Sequence, residues 1–357
     1  LEESPQEVAG IAARLSETVG LGERRAAVVG RRPQELIAGL RALAVEPDRG
    51  RSRAVGAVAL LFTGQGAQRV AMGRALCREV PTFERHLRRA ITALDRHLEV
   101  SLEAVLDGAT DDQGAVLIDQ TQYTQPALFA IEAALAWWWQ EMGLRPSAMA
   151  GHSIGEFVAA HVAGVMDLND AARLVCARGA LMAQCRADGA MASVEATEEE
   201  LLAVIADRSD QLAMAGLNGP TQAVVSGDVD AVKSVVDHFA QRGRRTRVLQ
   251  VSRAFHSPHM DDALEAFGAV ARSCTFHPAQ VPVISTLTAE PLPAPEQLAN
   301  YWVDQLRGPV RFLDAIRRLE REGVEQYVEC GPAPVLSTLA STCVSAEPAG
   351  GFVASLC

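Results

Sequence analysis

Residues 149 to 157 read MAGHSIGEF, which sets Ser153 between Gly151 and Gly155 and directly after His152. A serine in G-x-S-x-G spacing has two uses. It can cap the helix predicted over FVAAHVAGV, or it can stand on a sharp strand-to-helix turn as a nucleophile, with the glycines permitting close backbone approach. The apolar SAMAG before it and the helix after it favour the nucleophile, because amide groups and the dipole at a helix start stabilise developing negative charge.

A nucleophilic serine needs a base within hydrogen-bond reach, and the chain has eight histidines. His86, His97 and His238 fall on polar helix faces and read as solvated, His161 lies on the helix after the turn, and His277 sits in FHPAQ. His152 diverges from Ser153, as adjacent residues do on a tight turn. His256 and His259 share the loop AFHSPHM, and His256 is the preferred base. A triad acid would lie between serine and histidine in the chain. Asp228, after QAVVSG, is the candidate at a strand end.

Elements that could hold these residues follow from the pattern. AVALLF (57–62) is a buried strand running into the glycine-rich TGQGAQ and the helix VAMGRALCREV, which is the entry unit of an open α/β sheet. No G-K-[ST] follows, so the glycines do not form a phosphate cradle. From 189 to 250 come MASVEA, TEEELLAVIADR with Thr197 as cap and Glu200 three residues on, LAMAGLNGP, QAVVSG, DVDAVKSVVDHFAQRG and RTRVLQ. This strand, helix, strand, strand, helix, strand order is the split ferredoxin-like unit, inserted in a larger domain. That domain resumes with RAFHSPHMDDALEAF, the strand VPVIST, a helix before PVRFLDAIRRLEREG, and the strand YVEC. Residues 1–56 carry helical patterns PQEVAGIAARLSETV and RPQELIAGLRALA around RAAVVG, too little for a core of their own.

Composition narrows the classes. At 357 residues the chain exceeds one core and implies more than one packed unit. A net charge of −11 argues against nucleic acid as a partner, apart from the basic cluster Arg242, Arg244, Arg245 and Arg247. Seven scattered cysteines fit neither a disulfide framework nor a metal site. No apolar run reaches the roughly 20 residues of a membrane span, and no signal peptide opens the chain, so a cytoplasmic protein with no membrane partner is expected.

These motifs together resemble the acyltransferase domains of type I polyketide synthases, and more distantly the malonyl-CoA:acyl carrier protein transacylases. The matching residues are GQGAQ (64–68), TQPALF (124–129), GHSIGE (151–156), ARGALM (177–182), NGPTQAVVSG (218–227), RAFHSPHM (253–260), PVRF (309–312) and ECGPAPVL (329–336), in family order over 57–357. The resemblance implies an α/β fold with an α/β-hydrolase-like large subdomain (57–188 and 251–357, parallel sheet) and an inserted ferredoxin-like small subdomain (189–250). It makes 1–56 part of a ketosynthase–acyltransferase linker, and FVASLC the approach to a further linker in a megasynthase.

Roles implied by the resemblance are a Ser153–His256 dyad, with His256 oriented by a backbone carbonyl near Gly308 rather than by an acid. Backbone N–H groups of Gln68 and Ile154 form the oxyanion hole. Arg178 grips the carboxylate of a malonyl group, with Phe255 and Gln125 also at the substrate. The donor is an acyl-coenzyme A, the acceptor the phosphopantetheine thiol of an acyl carrier protein, and no cofactor stays bound. Arg242, Arg244 and Arg245 are candidates for carrier docking. Arg253 stands where malonyl-selecting domains usually have a histidine, which loosens the expected choice of malonyl over methylmalonyl; Ala333 also stands where a histidine is frequent, with no functional account. A serine esterase needs a triad acid and has no use for Arg178; a docking module leaves Ser153 and His256 unexplained.

Overall fold

A computed structural model describes residues 28, 30, 32–45 and 56–356. The chain divides into two units, 1–56 and 57–357. In the first, the predicted RPQELIAGLRALA is a helix, α1 (Pro33–Val45). The predicted helix over 5–19 and most of the strand RAAVVG lie outside the described residues.

The second unit runs β1 (Ala57–Phe62), α2 (Arg74–Glu79), α3 (Pro81–Leu94), α4 (Leu102–Leu106), α5 (Thr121–Glu141), β2 (Ala148–Gly151), α6 (Gly155–Val162) and α7 (Leu168–Gln184). Next come β3 (Gly189–Val194), α8 (Glu198–Ile205), β4 (Leu212–Gly219), β5 (Gln222–Asp228), α9 (Val229–Ala240) and β6 (Thr246–Val248). α10 (Asp261–Arg272), β7 (Val283–Ile284), α11 (Leu298–Arg307), α12 (Phe312–Arg321), β8 (Val324–Cys330), α13 (Val335–Ala340) and β9 (Gly351–Ala354) follow.

Five strands form a parallel sheet in the order β7-β2-β1-β8-β9. β1 sits at its centre and is apolar throughout because both its faces are covered, as parallel sheets require. Leu60 and Phe62 join one core cluster with α3, α5, α6 and α7, whereas Ala59 and Leu61 join a second with α12 and the small sheet. That small sheet is antiparallel, in the order β4-β5-β3-β6. It is the ferredoxin-like unit expected from the pattern, and the predicted capping box of Thr197 and Glu200 opens α8. The small sheet is tied to the segment between α11 and α12 by Leu217 N–H to Val310 O (2.9 Å) and Val310 N–H to Ala215 O (2.9 Å).

Two elements depart from the pattern. α2 is shorter than VAMGRALCREV because Gly73 takes φ 81° and interrupts the helix. β9 adds a parallel edge strand that four residues of periodicity are too short to announce. Trp139 on α5 fastens the segment beyond it by donating to Ser355 Oγ (2.8 Å). Among the described residues no helix is long and apolar enough to cross a membrane, and no group of three or more His, Cys, Asp or Glu is placed to hold a metal ion.

Glu329, at the end of β8, is fully buried and accepts the N–H groups of Val335 (2.9 Å), Leu336 (2.7 Å) and Ser337 (2.7 Å). It therefore satisfies the free donors at the start of α13. Glu329→Ala leaves the buried Leu336 N–H without its acceptor and strips a partner from Val335 and Ser337, and should destabilise the fold by about 2 kcal/mol, read as a lower urea midpoint at unchanged slope.

Candidate active site

The turn at Ser153 is made by packing. His152 N–H donates to Phe62 O (2.9 Å), tying the residue after β2 to the end of β1. A Cβ on Gly151 would lie 2.0 Å from the Gly155 carbonyl carbon, and one on Gly155 would lie 2.3 Å from Phe62 O. Both glycines are thus required by close approach, as the G-x-S-x-G spacing suggests. Ser153 itself takes φ 53° and His256 takes φ 56°. Among the described residues only Ala71 and Ala289 are other non-glycines in that region, and such backbone persists only where its surroundings over-determine it.

Ser153 Oγ lies 2.9 Å from His256 Nε2, and His256 Nδ1 lies 2.8 Å from Gly308 O. A carbonyl only accepts, so Nδ1 carries the proton and Nε2 presents a lone pair to the serine hydroxyl. Burial, reinforced by the nearby Arg178 charge, pulls the His256 pKa down to about 3. Asp228 does not reach His256. Its Oδ1 lies 2.6 Å from His259 Nε2, so the second histidine of the loop serves as an anchor to β5.

Arg178, on α7, is 1% exposed. Its Nη1 donates to Gln125 Oε1 (2.8 Å) and its Nη2 to Ser153 Oγ (3.1 Å), with Gln305 Oε1 at 3.5 Å from Nη2. The guanidinium carbon lies 5.3 Å from the centre of the Phe157 ring. Nε is buried without a partner, and no carboxylate among the described residues lies within ion-pair distance. Burial lowers the pKa to about 9, which leaves the group charged at neutral pH. Glu156 is the nearby acid, yet its carboxylate is occupied by Thr286 N–H (2.7 Å), Thr286 Oγ1 (2.6 Å) and Tyr301 OH; burial raises its pKa.

The glycine-rich loop lies beside the elbow. Gly64 approaches His152 so closely that a Cβ would be 2.7 Å from its Nδ1, and Gly66 takes φ 113°. The Gln68 side chain accepts Gly66 N–H (2.7 Å) and donates to Asp119 (3.2 Å). Ile154 follows Ser153 and is buried. Phe255 is buried in the larger core cluster, which also contains Met191, Val224 and Met260.

Sequence reasoning missed Gln305, whose Nε2 holds Ser153 O at 2.8 Å. The signal was the spacing of Tyr301 and Gln305, one helical turn apart on a buried face of α11. Three residues of the basic cluster have partners on the surface. Arg244 pairs with Glu200 (3.0 Å), Arg245 with Glu195 (3.1 Å), and Arg242 donates to His238 O (2.9 Å). His86, expected in solvent, lies 2.8 Å from Glu141 and tilts against Trp137.

An elbow serine paired with a carbonyl-oriented histidine on a parallel α/β sheet is the geometry of serine-based acyl-transfer proteins. Within that class, the chain belongs to the acyl transferase domain family, whose model matches residues 59–350. It is 44% identical over 320 residues, 88% of its length, to the spectinabilin polyketide synthase system protein NorB of Streptomyces orinoci, and spans 15% of that protein. Its fold matches the acyltransferase domain from the second module of the salinomycin polyketide synthase with TM-score 0.84 and 38% identity, covering 99% of this chain and 87% of that one. An acyl carrier protein S-malonyltransferase from Vibrio cholerae matches with TM-score 0.75 and 29% identity, covering 84% and 96%. The chain is an acyltransferase domain of the two-subdomain kind.

Because a Gly155 Cβ would press on Phe62 O, which is backbone, Gly155→Ala must move β1 away from the elbow. It should destabilise by about 2 kcal/mol or more; an unchanged urea midpoint would show that the contact relaxes freely.

Proposed function

We propose that this domain transfers a malonyl group from coenzyme A to the phosphopantetheine thiol of an acyl carrier protein, through an ester on Ser153, in polyketide biosynthesis. The observation that carries this reading is the buried Arg178 guanidinium, which touches Ser153 Oγ at 3.1 Å and has no counter-ion within ion-pair distance among the described residues. A buried charge of this kind is costly unless an anion meets it, and a carboxylate suits the planar fork. An acyl group ending in a carboxylate supplies that anion beside the nucleophile.

In the first half-reaction His256 Nε2 takes the Ser153 hydroxyl proton as Oγ attacks the thioester carbonyl, and returns it to the departing thiol. Backbone N–H groups of Gln68 and Ile154 hold the oxyanion. The carrier's thiol then attacks the ester by the same steps in reverse. Neither half needs a metal or a bound cofactor. The carboxylate against Arg178 also offsets the charge that depresses His256, so the recognised donor makes its own base stronger. Phe255 and Ile154 favour malonyl over a branched donor. Arg242, Arg244 and Arg245 would receive an acidic carrier by exchanging their present Glu200, Glu195 and backbone partners for it, and residues 1–56 would link the domain to a ketosynthase. A neutral-ester hydrolase is disfavoured, since the acid it needs, Asp228, is taken by His259.

Intact mass after incubation with equimolar malonyl, methylmalonyl and acetyl donors tests the reading. Malonyl should dominate the wild-type adduct, and Ser153→Ala should take none. Arg178→Gln should lose malonyl loading by about 30-fold or more, the effect of breaking a buried charge pair at about 2 kcal/mol or above. Acetyl loading should persist; equal loss of all three donors would make the arginine structural.

The acid limb offers an independent check. An unshifted histidine, with pKa about 6.5, is mostly protonated by pH 5. His256, lowered to about 3, stays neutral there. Acylation kcat/KM, which reports the free enzyme, should therefore be flat from about pH 8 to 5. A fall centred near 6.5 would contradict the depressed base.

A further inference from the structure

Arg253 stands in the loop that carries His256, yet its guanidinium turns away to the end of α7. Nη2 donates to Ala183 O (2.6 Å), Nε to Cys185 O (2.6 Å) and Nη1 to Ser252 O (2.7 Å). Ala183 lies in the last turn of α7 and Cys185 just past it, where helix carbonyls lack intrahelical partners and a positive charge is favoured. That last turn holds no basic residue of its own. A histidine has two ring nitrogens on a short side chain and cannot reproduce this three-donor fork.

The two elements so joined carry different parts of the site. α7 holds Arg178, five residues before Ala183, and the loop holds His256, three residues after Arg253. The loop has other anchors: Ser257 Oγ donates to Ala254 O within the loop (2.6 Å), Ser252 Oγ shares a hydrogen bond with Thr121 Oγ1 on α5 (3.0 Å), His259 meets Asp228 on β5, and His256 donates to Gly308 O. A left-handed His256 needs such over-determination.

We propose that Arg253 is a positioning residue that straps the His256 loop to the C-terminal end of α7, fixing the spacing between the Ser153–His256 pair and Arg178, and so contributes to the choice of carboxylated acyl donors. This rests on the reading that Arg178 holds the donor's carboxylate. Without the strap, Gly308 still orients His256, while the end of α7 is released and Arg178 loses its register with Ser153. A donor that uses both loses more than a donor that uses the dyad alone.

The test compares single-turnover loading of malonyl and acetyl donors on the wild type, Arg253→Gln and Arg253→Lys. Arg253→Lys keeps the charge at the helix end and guards against a Gln variant that does not fold. The malonyl-to-acetyl ratio should fall on the order of 10-fold in Arg253→Gln, and less in Arg253→Lys, with circular dichroism unchanged. If the ratio stays within about two-fold of wild type in the variants that fold, whether both donors fall together or neither does, the strap is merely structural and the proposal fails. A wild type that loads acetyl but no malonyl overturns the donor reading, and this inference with it; malonyl loading with an unmoved ratio overturns this inference alone.

Discussion

A guanidinium buried with no ion-pair partner among the described residues is the constraint around which the site is built. Placing Arg178 inside the protein costs several kcal/mol unless its donors are met, and the chain meets those of Nη1 and Nη2 with neutral groups from separate elements, Gln125 on α5, Gln305 on α11 and the Ser153 hydroxyl at the elbow, while Nε stays unpaired. Phe157 on α6 supplies a ring beneath it. Glu156 contributes field but no direct contact, since Thr286 and Tyr301 hold its oxygens. Four helices are thereby held to one charge that stays available to an anion.

The strained backbones of Ser153 and His256 depend on the same scaffold. The elbow is held by β1 against β2, with glycines where no side chain fits. The histidine is held by Gly308, two residues before Val310, whose amide and carbonyl pair with β4 of the small sheet. The small subdomain is therefore not an appendage. A shift of β4 reaches the carbonyl that sets the histidine tautomer through two residues of backbone.

Much of this was legible in the order of residues. The elbow could be read from G-x-S-x-G because the turn is local, and the ferredoxin-like unit from alternation and capping, because Thr197 and Glu200 act within one helical turn. Elimination narrowed the base to His256 and His259, since a loop re-entering the larger domain is where a base can face the elbow. The brief helix α2 and the strand β9 were not: a left-handed Gly73 and a parallel pairing with β8 leave little periodic signal.

What the sequence determined by itself is the set of chemical groups and their local geometry: a serine on a tight turn, a histidine in a loop, and an arginine on a helix. Whether that arginine was exposed or buried, whether Asp228 or a carbonyl faced His256, and whether the basic cluster was free or paired were decided only by the tertiary structure. Gln305 meets Ser153 across 152 residues and Arg253 meets Ala183 across 70. Such contacts follow from how helices pack on a sheet, a geometry that no window of neighbouring residues encodes.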